Sequence, residues 1–122
     1  MRIRRNKIEI IYGTIYPFDV MVSTETNFNK LHKFLIDKLP EESHDEIDSE
    51  LMSSDGRTIM FSTGQTIIQI NTLTPNIIAH EIFHAVFFFM MKINTPLNMD
   101  TNEAYAYLVG YLTGEIYKRF MI

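Results

Sequence analysis

The chain has 122 residues, 46% of them hydrophobic and 21% charged, the size and balance of one globular domain (1–122) that can bury its own core. Cysteine is absent, which excludes disulfides and thiolate metal sites. A formal net charge of −4 counts against a general nucleic-acid binder.

In chain order, the first feature is a basic cluster, Arg2, Arg4, Arg5 and Lys7. The segment after it, Ile8 to Val22, is interrupted by Glu9, Pro17 and Asp19, so no apolar signal core follows. Lys7–Tyr12 and Thr14–Ser23 are rich in Ile, Val, Tyr and Phe on either side of Gly13 and predict two strands, with Pro17 placing the second at an edge or bulge. Asn27–Leu39 carries apolar residues at 28, 31, 34, 35 and 39, which predicts an amphipathic helix begun by Thr26 or Asn27 and stopped by Pro40. Glu41–Glu50 is acidic and reads as a solvated loop or a short helix.

Arg57–Ser62 and Gln65–Asn71 flank Thr63-Gly64 and predict a hairpin. Thr74 and Pro75 then open a strongly apolar helix to about Ile93, with Thr74 as cap and Pro75 in the first helical position. Its longest apolar run, Ala85–Met91, is far short of the roughly 20 residues of a membrane span. Asn94–Met99 is a break containing Pro96, and the last helix runs from Asp100 or Thr101 to about Phe120. The order β-β-α-β-β-α-α is that of an α+β domain, with a cytoplasmic chain and no membrane partner expected.

Within the apolar helix stands His80-Glu81-Ile82-Phe83-His84. Four residues is a little over one turn, so both imidazoles project from one face and can grip one ion. Glu81 is about 100° further round, where it reaches water beside the ion more easily than the ion itself. A polar triplet in so apolar a helix is costly unless paired or ligated. Catalytic zinc takes three protein ligands and keeps one position open. His32 and His44 are candidates for the third, but they fall on an amphipathic helix and in an acidic loop. Glu103 is better placed, opening the next helix with eighteen residues between it and His84. Asp100-Thr101-Asn102-Glu103 also matches a capping box, a purely local role for that glutamate.

The His80–His84 motif, followed by a glutamate opening a second helix within Asn102-Glu103-Ala104-Tyr105-Ala106, resembles the gluzincin branch of zinc metallopeptidases over about residues 74–111. The chain's size, and the run from the hairpin to the last, tyrosine-rich helix, are similar to short phage-encoded zincin-like proteins. The resemblance implies a minimal zincin-like fold with a small mixed sheet, a Zn2+ ion on His80, His84 and Glu103, and Glu81 as general base. It also implies a peptide or protein substrate, paired along an edge strand near the metal. Tyr107, one turn after Glu103, is a candidate to polarise the substrate carbonyl or to orient a ligand histidine, or else packs in the core with Tyr105, Tyr111 and Tyr117. A stripe of small residues, Ala106, Gly110, Thr113 and Gly114, is expected to let the last helix approach the phenylalanine-rich one.

The expected chemistry is hydrolysis by zinc-activated water. Two alternatives stand beside it: a non-catalytic zinc-stabilised binding or virion-associated module, and a helical interaction module whose motif is accidental. The intact Glu81 weighs against the first, because a purely structural site needs no base.

Overall fold

A computed structural model describes residues 2–122. Strands β1 (Ile8–Ile11), β2 (Val20–Ser23), β3 (Gly56–Met60) and β4 (Thr66–Ile70) form one mixed sheet in the order β1-β2-β4-β3. β1 and β2 are antiparallel, β2 and β4 parallel, β3 and β4 antiparallel. Helix α1 (Phe28–Lys38) and two 3₁₀ turns (Glu41–Glu46 and Ser49–Met52) lie between β2 and β3 in the chain, while α2 (Pro75–Lys92) and α3 (Asn102–Phe120) follow β4. No helix among the described residues is long and apolar enough to cross a membrane.

The sheet has a core on each face, because successive strand residues alternate sides. Val20, Val22, Ile68 and Ile70 meet Ile78, Ile82 and Val86 of α2 and Leu108, Leu112 and Ile116 of α3. Met21 and Ile67 point the other way, to Leu31, Leu35 and Leu39 and to Leu51 of the second 3₁₀ turn. Helix α1 has a side-chain cap, whereas Thr74, expected to cap α2, stands at its N-cap without a side-chain hydrogen bond. Asn27 accepts hydrogen bonds from the N–H groups of Asn29 and Lys30, and Pro75 occupies the first turn of α2. Gly64, at φ +99°, takes the left-handed position of the β3–β4 turn.

Three expectations need correction. Residues 12–19 are a loop and β2 begins only at Val20, so Pro17 lies outside the sheet and β2 is an interior strand. Close backbone contact at Gly13 accounts for this: a Cβ there would sit 2.2 Å from the Tyr16 carbonyl, and Asp19 accepts the Gly13 N–H at 2.9 Å. The small-residue stripe of α3 faces outward, since Ala106, Gly110 and Gly114 are exposed and a Cβ on either glycine would meet nothing within 4 Å. Tyr105, Leu108 and Leu112 bury the opposite stripe. His44, expected in solvent, is half-buried, with Nε2 2.9 Å from the Leu39 carbonyl.

Candidate functional site

Helix α2 buries Ile78, Glu81, Ile82, Ala85, Val86, Phe89 and Met90 along one side. Glu81 is the one charged residue of that stripe, and it is only 5% exposed. Its carboxylate is not left bare there: Thr58 of β3 donates its hydroxyl to Oε1 at 2.7 Å. Gly56, two residues earlier on the same face of β3, makes room for it. A Cβ at Gly56 would stand 2.9 Å from Glu81 Cγ and 3.1 Å from Glu81 Oε2.

His80 and His84 turn toward each other across one helical turn, Nε2 to Nε2 at 3.0 Å, with ring centroids 4.6 Å apart. The His84 ring also stacks on Phe88, 20° from parallel. At this separation one imidazole N–H can donate to the other's lone pair, or both lone pairs can face one cation. Two nitrogens sharing a tetrahedral zinc stand about 3.3 Å apart, so the pair fits that donor geometry with little adjustment. His80, Glu81 and His84 line a cleft of about 300 Å³ whose other wall is Gly56, Arg57 and Thr58.

That wall is an open edge of the sheet, because β3 has a partner on one side only. The Phe61 N–H bonds the Gln65 carbonyl and the Asn71 N–H bonds the Asp55 carbonyl. Antiparallel pairing alternates, so the odd positions of β3 face β4, and the N–H and C=O groups of Gly56, Thr58 and Met60 point away from it. The Ser54 hydroxyl occupies the Gly56 carbonyl.

The structure thus brings together His80, Glu81 and His84. Glu103 stands exposed in the first turn of α3, where Thr101 makes no side-chain cap bond. Among the described residues, no three His, Cys, Asp or Glu side chains converge closely enough to hold a metal ion, so the histidine pair provides two donors without a third. Tyr107, 41% exposed, places its hydroxyl 3.0 Å from Thr14 Oγ1, stacks with Tyr111, and is not among the residues lining the cleft. His32 packs against Phe28 on α1.

Two groups outside the cleft have shifted titration. The Ser62 hydroxyl and N–H on the Glu46 carboxylate hold it below its ordinary value. Burial, with Glu115 adding to it, pushes the Tyr111 phenol up. The role of Thr58 and Gly56 in seating Glu81 is invisible in the sequence, because it depends on which strand of the hairpin lies under α2. No family model, curated protein or solved structure matches the chain.

Proposed function

We propose that this chain is a zinc-dependent hydrolase of minimal metallopeptidase type, with His80 and His84 as imidazole ligands and Glu81 as general base. The observation that supports the reading best is the opposed His80 and His84 nitrogens, 3.0 Å apart, in a cleft that Glu81 and an open strand edge share. Zinc bound there would polarise a substrate carbonyl and acidify water. Neutral imidazoles offer the ion their lone pairs. Glu81, oriented by the Thr58 hydroxyl, takes a proton from the attacking water and returns it to the leaving amine. The third ligand of this reading is Glu103, on the resemblance to the gluzincin pattern; in the structure it does not converge with the histidine pair. The outward N–H and C=O groups of Thr58 and Met60 suit an extended peptide added as a further strand, which makes a polypeptide the favoured substrate.

One observation favours a second reading, a non-catalytic zinc-stabilised binding or virion-associated module. Glu81 already has a structural task, tying α2 to β3 through Thr58. Comparing the zinc-loaded protein with its E81Q variant separates the two. The hydrolase reading expects an unfolded protein to be cleaved, with E81Q keeping its metal and slower by about 100-fold or more. Equal cleavage by both proteins, or none by either, removes the hydrolase reading.

A further inference from the structure

Three of the chain's five arginines lie within four consecutive residues, Arg2, Arg4 and Arg5, on a protein of net negative charge. They do not hang from a loose end. The Arg4 N–H donates to the Phe120 carbonyl, the Arg2 carbonyl accepts the Ile122 N–H, and the Thr24 hydroxyl donates to the Arg4 carbonyl at 2.6 Å. Ile3 bridges to Met121, so residues 2–4 run as a short extended segment beside the end of α3. Among the described residues no ion pair involves these three guanidinium groups, all on exposed residues. The nearby acids are committed elsewhere: Glu9 to Lys7 and Arg119, Glu25 to the N–H groups of Thr26 and Asn27.

The arginines share a cleft of about 520 Å³ with Ile3, Leu73 and Ile122. We infer that this cleft docks an acidic polypeptide segment of a partner protein, with carboxylates on the guanidinium forks and an apolar side chain against the Ile3–Leu73–Ile122 wall. Arginine suits this occupant, since its planar fork takes a carboxylate through two parallel bonds, where lysine offers a point charge. A nucleic-acid strand fits less well. It needs an extended basic track with aromatic platforms, whereas the described residues lining this cleft include no aromatic side chain and the protein is acidic. The inference goes beyond the hydrolase reading and does not depend on it.

The test is fluorescence anisotropy of a labelled peptide of alternating glutamate and leucine, titrated with the full chain at about 0.15 M salt. Saturable binding is expected, weakened by about tenfold or more in R4E/R5E and retained in part by R4K/R5K. Reversing two exposed lysines of α1, in K30E/K33E, makes the same change in net charge and should leave affinity within about twofold. Circular dichroism establishes that each variant is folded. The inference is overturned if the wild type does not bind the peptide. It is equally overturned if K30E/K33E loses as much as R4E/R5E, or if a single-stranded oligonucleotide binds more tightly than the peptide.

Discussion

Replacing Gly56 by alanine forces β3 and α2 apart at the point where Glu81 is seated. The new methyl would lie 2.9 Å from Ile77 Cγ2, 2.9 Å from Glu81 Cγ and 3.1 Å from Glu81 Oε2. Comfortable carbon contacts are about 3.5–4.0 Å, so either the side chains or the elements must shift by more than half an ångström. Neither neighbour yields freely. Ile77 is β-branched and stiff at χ1 within a helix, and Glu81 is held by Thr58. Overpacking of this kind costs about 1–3 kcal/mol, offset by up to about 1 kcal/mol because alanine restricts the unfolded chain. A net loss of up to about 2.5 kcal/mol follows for G56A. The same substitution at Gly110, in the middle of α3, meets nothing within 4 Å and should stabilise by about 0.5–1 kcal/mol. Urea unfolding followed by circular dichroism reads both as shifts in midpoint at constant slope. If G56A raises the midpoint as G110A does, β3 and α2 do not approach so closely and the account of how Glu81 is positioned is wrong.

Other outcomes follow from the same contacts. Leu112→Ala, at a fully packed position between α3 and the sheet, should cost about 2–5 kcal/mol, and a loss below about 1 kcal/mol would mean that α3 is not docked there. Tyr107→Phe removes one exposed hydrogen bond to Thr14 and should cost no more than about 1 kcal/mol while leaving any bound metal in place; loss of metal would return Tyr107 to the site. Glu46 should titrate below an ordinary carboxylate in an NMR pH series, and Ser62→Ala should move it upward. Because its folded value is the depressed one, the stability it contributes is present above the unfolded pKa and fades as pH falls through the folded pKa. Met60→Pro removes an N–H that points away from β4, so a folded variant that cleaves as well as wild type would mean substrate does not pair along β3.

The helices and the hairpin were legible because local chemistry marks their ends. Asn27, Pro40, Pro75 and Gly64 each act within a few residues of themselves, and each stands where its chemistry places it. The two histidines were legible for the same reason, since helical spacing alone puts them on one face. What the sequence concealed is non-local. The composition of Thr14–Asp19 suits a strand, yet contacts at Gly13 bend it into a loop. Small residues at 106, 110 and 114 mark a helix face but not what covers it, and that face is exposed. Helical spacing places Glu81 beside the histidine pair, but its burial is decided by Thr58 and Gly56, more than twenty positions away in the chain. The distance between Glu103 and the histidine pair depends on how α3 docks, which neither helix encodes by itself.

The most direct test of the central claim is elemental analysis of the protein purified without a metal column, together with its H80A and H84A variants. The account predicts about one zinc per chain in the wild type and little or none in either variant. A folded wild type that carries no zinc and takes up none when it is supplied would contradict it, and would leave the His80–His84 contact as a hydrogen bond between two surface imidazoles.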